Sequence, residues 1–358
     1  MGARLLCAGY FGAGNLGDDA ILMGFAHGLR DTKYEMRVLA GSVERLMRNY
    51  GLTGVPRMDM GAVKNAINEC DALVFPGGSI FQDVTSVRSV GYYSNLVKQA
   101  KSAGKKVIML GQGVGPLDRF LGKKMAAAAF NAADVIAVRD AGSVTSLRGL
   151  GVKVSPRLTA DMAFLLPKPG QSEESQAFGV AGMTAVGISA RPWGKDRNKT
   201  VIGVFSDLIK LLYSNSMVPY MIEMDQVEDR AVIEAISKVH GGKVPEIKGI
   251  TTPSQLQQRL ARMEAVIGMR LHAGILAATV GVPPYMVSYD PKVTAFANAL
   301  GFSTPPSMQG ITADRIFDGF QTFLKDRERI AASLERKRDD LAKSAYGNIE
   351  VLQSCLGA

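Results

Sequence analysis

Short runs of apolar residues alternate along the chain with longer segments in which apolar positions recur at helical spacing. The runs predict buried β-strands, and the segments between them predict amphipathic helices. In the first half, the predicted strands are residues 5–8, 37–39, 72–75, 107–110 and 135–138. Strands that alternate with helices in this way are typical of a parallel sheet covered by helices.

The pattern is interrupted near the middle of the chain. Residues 166–176 (LPKPGQSEESQ) are rich in proline, glycine and polar residues, which is typical of a linker. The alternation then resumes, with strands predicted at residues 186–189, 218–222, 265–267 and 284–287. The length of 358 residues also fits two α/β cores better than one.

The sequence therefore predicts an α/β protein with two Rossmann-like domains. We place the first at residues 1–168 and the second at residues 177–311. Residues 312–358 are helical in composition, and we expect this tail to pack back on the first domain.

The charge balance favours an anionic partner. The chain has 42 basic and 33 acidic residues, and residues 1–165 contribute 20 of the basic and 13 of the acidic ones. The densest basic cluster consists of Lys98, Lys101, Lys105, Lys106, Arg119, Lys123 and Lys124. Such a cluster is either a solvated helix face or a site for anionic lipid, a lipid-linked diphosphate or nucleic acid. Aromatic residues make up only 7% and there is no recognised reader motif, so we expect no nucleic-acid partner and allow for peripheral contact with an anionic membrane surface.

Cysteine usage and hydropathy point to the cytoplasm. The three cysteines, Cys7, Cys70 and Cys355, are widely spaced and form no CxxC pair, so neither a disulfide framework nor a zinc ribbon is expected. No apolar run is long enough to span a bilayer, and the first residues do not resemble a signal peptide.

A glycine-rich loop, residues 9–19, follows the first predicted strand. Its centre, GAGNLG, matches GxGxxG, but LAGS stands where a dinucleotide site would place an acidic residue about 20 positions later. We therefore expect no NAD. The loop displays Asn15 and Asp18, either toward a ligand or as turn and capping residues, with Asp19 in the first turn of the helix or capping it. Asp18 and Asp19 have no His or Cys neighbour, which argues against a metal site.

Two further glycine loops are predicted to line the same face, at residues 75–83, which include Gly78, and at residues 111–117. They could equally be plain strand-to-helix turns. Arg139 ends the strand at 135–138, where a guanidinium can bind a phosphate or carboxylate, or can pair with Asp140.

The strongest local signal is GMRLHAG at residues 268–274. It places Arg270 and His272 where a strand gives way to a helix, which predicts an anion site with a group able to transfer protons near neutral pH. Lys292 follows the last predicted strand and is either a third cation of this site or a solvated lysine.

Five segments in order, GNLGDDA, PGGSIFQD, GQGVGPL, VRD and GMRLHAGILAATVGVPP, resemble the polysaccharide pyruvyl transferase family, specifically its bacterial cell-surface (CsaB-type) branch. The resemblance implies a GT-B-like fold whose two domains face a cleft. It also implies transfer of pyruvate from phosphoenolpyruvate, a substrate and not a cofactor, to a sugar such as N-acetylmannosamine, without an essential metal. The donor-binding residues it implies are Arg139, Arg270, Leu271, His272 and Lys292.

The expected acceptor is a lipid-linked amino-sugar disaccharide of a cell-wall polysaccharide, and the residues expected to bind it are Asn15, Asp18, Gly78 and Asp225. In the expected chemistry His272 delivers a proton or assists the departure of phosphate, Arg270 stabilises charge, and Asp18 or Asp225 activates a hydroxyl.

Two other functions remain open at this stage. A GT-B glycosyltransferase would use the same architecture with a sugar nucleotide and would release a nucleotide instead of phosphate. A non-catalytic carbohydrate or nucleotide sensor would bind without turnover.

Overall fold

The computed structural model describes residues 2–84, 86–170 and 182–357. The chain divides into two compact units. The first consists of Met1–Pro167 and Leu341–Ala358, and the second of Lys168–Asp340. The expected linker, residues 166–176, crosses this boundary, and its residues 171–176 lie outside the described part of the chain.

The first unit is built on a mostly parallel sheet. Its strands are β1 (Arg4–Phe11), β2 (Glu35–Ala40), β3 (Thr53–Pro56), β4 (Ala72–Phe75), β5 (Gly78–Phe81), β6 (Lys106–Val114), β7 (Val135–Val138) and β8 (Arg157–Leu158). They lie in the order β3-β2-β1-β4-β6-β7-β8, with β5 beside β6, and every described pairing is parallel.

Helices cover both faces of this sheet. They are α1 (Leu16–Gly28), α2 (Val43–Tyr50), α3 (Met60–Glu69), α4 (Val87–Ser102), α5 (Phe120–Ala132) and α6 (Ala141–Gly149), and a 3-10 turn spans Met162–Leu165. Successive strand residues alternate between the two layers: Leu6 and Ala8 pack with α3, α4 and α5, while Leu5 and Cys7 pack with α1. Because both faces are covered, the strands are apolar at consecutive positions, as the sequence pattern indicated.

The second unit repeats this design with a smaller sheet. Its strands are β9 (Thr184–Ser189), β10 (Met217–Met221), β11 (Ala265–Gly268) and β12 (Pro284–Met286), in the order β10-β9-β11-β12 and all parallel. Its helices are α7 (Asn198–Ser214), α8 (Arg230–His240), α9 (Pro253–Leu260), α10 (Leu271–Thr279), α11 (Pro291–Ala299) and α12 (Ala313–Lys325). Prolines at the first turns of α9 and α11 need no amide hydrogen bond there and fix the helix starts.

The helical tail is divided between the units, which corrects the expected boundary at residue 312. Ile316, Phe317 and Phe320 of α12 belong to the core of the second unit. The last helix, α13 (Arg327–Leu356), reaches the first unit, where Ile349 and Leu352 join the core on the α1 side. Within the described residues, no helix combines the length and apolar character needed to cross a membrane.

Two predicted glycine loops are largely strand. Residues 78–81 form β5, and β6 continues through Val114, so much of the segments expected to be loops lies in the sheet. Gly78 and Gly111 have φ values of +93° and +52°, a backbone conformation that L-residues other than glycine rarely adopt. These glycines let the chain bend within the sheet instead of leaving it. A glycine motif in the sequence does not by itself distinguish a bent strand from a loop.

A buried asparagine fastens the last helix to the first sheet. The Asn348 side chain accepts from the Gly111 amide at 2.8 Å and from the Thr159 hydroxyl at 2.9 Å, and it donates to the Ala160 carbonyl at 3.1 Å. Gly111 lies within β6, and Thr159 and Ala160 directly follow β8.

Replacing Asn348 with leucine is expected to destabilise the first unit by about 1–3 kcal/mol, because a buried amide and hydroxyl lose their partner. Urea denaturation followed by circular dichroism measures this. The matched control is Asn68→Leu on an exposed helical position, where little change is expected. An equal loss in both variants would contradict the assigned role of Asn348.

Candidate active site

In the first unit, two of the four expected acceptor residues lie together. A Cβ atom built on Gly78 would lie 3.3 Å from Oδ1 of Asp18, so the carboxylate lies against backbone that has no side chain. Burial raises the pKa of the nearby Tyr93 hydroxyl, and the charge of Asp18 adds to this effect. The Arg57 guanidinium stacks over the Tyr10 ring at 4.5 Å from its centroid. Aromatic rings, a cation and a carboxylate therefore occur at one end of this sheet, a composition suited to binding a sugar.

Asn15, the third of these residues, is the N-cap of α1. Its Oδ1 accepts from the amides of Gly17 and Asp18 at 2.9 and 3.3 Å. The structure thus gives the side-chain oxygen of Asn15 a capping role. This role was the alternative to ligand binding.

Asp19 holds the first glycine loop in place. Its carboxylate is buried and accepts from the Gly12 amide at 2.8 Å and from the Tyr50 hydroxyl at 2.9 Å. It lies in the first turn of α1, where a negative charge is favourable, and it does not cap the helix.

The stability contribution of Asp19 is expected to depend on pH. Burial raises the pKa of this carboxyl above its ordinary value of 3.8, although the bonds from Gly12 and Tyr50 oppose the shift. A raised pKa means that the folded state holds the proton more tightly, so this contribution is full below pH 3.8 and is lost as the pH rises through the folded-state pKa. The variant Asp19→Asn should therefore gain stability relative to wild type as the pH rises through the folded-state pKa of Asp19. Urea denaturation at a series of pH values checks this, and a difference independent of pH would contradict it.

The Arg139 side chain lies inside the first unit and is only 5% exposed. Its Nη1 donates to Asp161 at 2.6 Å and its Nη2 to the Ser79 hydroxyl at 2.8 Å, while Asp140 caps α6. Gly113 makes room for it, since a Cβ there would lie 2.7 Å from Nη2. The expected pairing of Arg139 with Asp140 is therefore secondary, since the two side chains are 4.0 Å apart. The main ion pair is the buried one with Asp161, which the sequence did not indicate.

In the second unit, Arg270 lies at the carboxyl end of β11 as the N-cap residue of α10. Its Nε donates to both carboxylate oxygens of Asp229, at 3.1 and 3.2 Å, and its Nη2 donates to Glu228 at 2.9 Å. Asp229 is fully buried, whereas the Glu228 side chain is 38% exposed. Burial lowers the pKa of Arg270, but these carboxylates outweigh it and raise the pKa overall, so the guanidinium stays charged.

Asp229 and Asp225 shape the loop before α8. Asp229 Oδ2 accepts from the amides of Met224 and Asp225, at 3.2 and 3.0 Å. Asp225 in turn accepts from the amides of Val227 and Glu228 and is itself buried. The structure therefore gives Asp225, an expected acceptor ligand, a turn-forming role that presents Glu228 to Arg270.

His272 and Leu271 occupy the first turn of α10. The first amides of a helix have no partner within it, so the Leu271 and His272 amides can bind an anion. The Leu271 side chain is buried in the core, which leaves its backbone as the group suited to ligand binding. His272 is half-buried and shares this helix start with Arg270.

Two more cations accompany Arg270. Arg191 follows β9, donates to the Tyr289 hydroxyl at 2.6 Å and reaches the same Glu228 carboxylate at 3.4 Å. Lys292 lies 3.5 Å from Asp290 and 5.7 Å from the centroid of the Tyr289 ring. The sequence interpretation missed Arg191, although it lies two residues past the end of a strand and Arg139 was singled out by its position at a strand end.

Among the described residues, no group of three or more His, Cys, Asp or Glu side chains is placed to hold a metal ion.

The model of the polysaccharide pyruvyl transferase family matches residues 15–291, a range that includes the capping asparagine, Arg139 and the GMRLHAG segment. The chain belongs to this family. It is therefore a transferase, as expected from its motifs, and Lys292 lies just beyond the matched range. No curated protein matches the sequence significantly.

Solved structures show the fold class. HepE from Anabaena, in complex with UDP-glucose, is similar with a TM-score of 0.64 at 13% identity, over 98% of this chain and 100% of that one. A UDP-GlcNAc 2-epimerase from Methanocaldococcus jannaschii has a TM-score of 0.62 at 11% identity over 99% and 100%. The glycosyltransferase SnogD from Streptomyces nogalater has a TM-score of 0.55 at 15% identity over 99% and 100%. The family member thus has the predicted GT-B-like fold class, built from two Rossmann-like units.

Proposed function

We propose that this transferase moves the pyruvyl group of phosphoenolpyruvate onto a sugar, forming a pyruvate ketal and releasing phosphate. The observation that carries the proposal is a cluster of three cations: Arg270 at the start of α10 and Arg191 both donate to Glu228, and Arg191 and Lys292 both contact Tyr289. Phosphoenolpyruvate carries a carboxylate and a phosphate on adjacent atoms, and binding both requires several cations aided by helix amides.

Glu228 marks where an anionic group of the donor would bind. Its carboxylate is the exposed member of the cluster and receives bonds from both Arg191 and Arg270. A donor carboxylate has the same shape and charge, so it can replace Glu228 on the two guanidinium groups without rearranging them. Asp229 keeps the Arg270 guanidinium oriented while the donor replaces Glu228, because the hydrogen bonds between Arg270 and Asp229 lie on the buried side of the guanidinium.

The proposed reaction adds two hydroxyls of one sugar to the central carbon of the donor. His272 delivers a proton to the methylene carbon, which becomes the methyl group, and the first hydroxyl oxygen bonds to the central carbon and loses its proton. The second hydroxyl oxygen then displaces phosphate from that carbon, its proton passes to the departing phosphate, and the ketal closes. With the two guanidinium groups on the donor carboxylate, Lys292 and the first amides of α10 stabilise the negative charge on the departing phosphate.

The acceptor is proposed to bind at the Asp18 and Gly78 end of the first sheet, with Asp18 activating a hydroxyl. The acceptor proposed from the family resemblance is N-acetylmannosamine in a lipid-linked cell-wall precursor made on the cytoplasmic side of the membrane. Arg139 remains a predicted donor ligand. Because its side chain is buried and donates to the Ser79 hydroxyl, its contribution to donor binding is proposed to be indirect, through Ser79.

The test is to incubate the purified chain with phosphoenolpyruvate and a panel of sugar nucleotides, free disaccharides and lipid-linked disaccharides. We expect phosphate release that depends on one acceptor, and an acceptor mass increased by a pyruvate ketal. Release of a nucleotide from a UDP- or GDP-sugar, without consumption of phosphoenolpyruvate, would instead identify a glycosyltransferase.

A further inference from the structure

Large apolar side chains are exposed where three neighbouring helices of the first unit begin. Helices α3, α4 and α5 pack in one layer on the sheet, with α4 between α3 and α5. Their starts carry Met58, Met60, Val84, Phe120 and Leu121, whose exposed fractions range from 42% to 77%. We call these five side chains the apolar rim. Apolar groups of this size gathered on a surface mark an interaction site more often than scattered single residues do.

The part of the rim at the start of α5 is held by hydrogen bonds to a buried carboxylate. The buried carboxylate of Asp83 accepts from the amides of Asp118 and Arg119, at 2.8 and 2.9 Å, directly before α5 begins. Gly122 completes the fit, since a Cβ at this position would lie 2.3 Å from Asp83 Oδ2. Phe120 and Leu121 are therefore exposed on a helix start that is fixed to the neighbouring loop.

Positive charge surrounds the apolar rim. The segments that carry the rim, residues 58–60, 84–88 and 117–124, contain four basic residues, Arg88, Arg119, Lys123 and Lys124, all of them exposed, against two acidic residues, Asp59 and Asp118. The Lys124 ammonium lies 4.5 Å from the centroid of the Phe120 ring, so charged and apolar groups are immediate neighbours. The helix starts add further partial positive charge.

Three other residues of the predicted basic cluster have partners elsewhere. Lys101 and Lys106 reach the carboxylate of Asp134, at 2.9 and 3.8 Å, and Lys105 donates to the Asn68 carbonyl. These groups lie at the amino end of β6, whereas Arg119, Lys123 and Lys124 follow its carboxyl end. The structure thus divides the cluster and leaves the second set on the rim.

We propose that the apolar rim and its four basic residues bind an anionic lipid bilayer. Basic side chains attract anionic headgroups, while exposed Phe and Leu side chains enter the boundary between headgroups and acyl chains. A second copy of this chain fits less well, because a symmetric contact would bring two positively charged rims together. This inference goes beyond the proposed function, and vesicle binding can be measured without turnover.

The experiment is co-sedimentation of the full chain with two kinds of vesicle, equal parts phosphatidylglycerol and phosphatidylcholine, or phosphatidylcholine alone. The test variant combines Phe120→Ser, Lys123→Gln and Lys124→Gln. The control also replaces one exposed apolar residue with serine and two exposed lysines with glutamine, but in the second unit: Val239→Ser, Lys238→Gln and Lys243→Gln. Circular dichroism and sedimentation velocity establish the fold and oligomeric state of both.

We expect wild type and control to bind the anionic vesicles, and the test variant to bind them at least about tenfold more weakly. Ketal formation on a water-soluble acceptor should be equal in all three proteins, which separates this inference from the proposed function. The proposal is overturned if the wild-type protein does not bind anionic vesicles, or if the test and control variants bind them equally. It is also overturned if the test substitutions dissociate a dimer and leave vesicle binding unchanged.

Discussion

Replacing His272 with asparagine is expected to lower the turnover number by about 10²–10⁴-fold, because proton delivery to the methylene carbon is lost. Donor affinity should change far less, since the cations and the helix amides that bind the donor remain. Phosphate release measured at saturating phosphoenolpyruvate gives the turnover number, and calorimetric titration gives donor affinity.

The matched control is His240→Asn, which makes the same change in the same unit. His240 ends α8, and its ring stacks on that of Tyr213. Turnover of this variant should equal that of wild type. If His272→Asn is fully active, the imidazole has no part in the reaction, whereas equal loss of donor affinity and turnover would assign it to binding.

The second large effect is expected at Asp229. Replacing it with alanine removes one partner of a buried ion pair and also the acceptor of the Met224 and Asp225 amides. Such a change leaves the Arg270 guanidinium without its buried partner and with the partly exposed Glu228 in its place, and it should cost about 3–5 kcal/mol of stability. Urea denaturation of the second unit, followed by Trp193 fluorescence, measures the loss. Donor affinity should fall as well, because Arg270 is no longer oriented.

Glu228→Gln supplies the control for this prediction. It removes a charge from the same guanidinium, but the Glu228 side chain is 38% exposed, so its effect on stability should stay below about 1 kcal/mol. If the Glu228 carboxylate occupies the position of the donor, its loss should leave donor binding intact or strengthen it. Similar destabilisation by both substitutions would show that Asp229 has no special structural role.

The site illustrates what a linear motif can and cannot specify. Arg270 and His272 were found because they fall together in GMRLHAG, at a strand-to-helix junction that sequence periodicity already indicated. Arg191 and Glu228 lie 79 and 42 positions away from Arg270 in the sequence and enter the cluster only because β9, β11 and the loop before α8 are neighbours in the fold. No local pattern contains that information.

The same distinction applies to the residues whose expected roles changed. Asn15 and Asp225 were selected for their polar character, and the structure uses their side chains to satisfy nearby backbone amides. Arg139 was selected for its position after a strand, and Asp161 and Ser79 hold it inside the unit. Asn, Asp and Arg serve structure and ligand binding with the same groups, so residue type alone does not decide between them.

The sequence by itself determined the alternating strands and helices, the two units and the family, because apolar periodicity and motif order are local properties of the chain. Tertiary structure decided that α12 joins the second core while the end of α13 joins the first, that two glycine segments continue the sheet, and which carboxylate meets which cation. These outcomes depend on contacts between residues that are distant in sequence. The energy of such a contact is set by the burial of the groups that make it, and burial is a property of the folded chain alone.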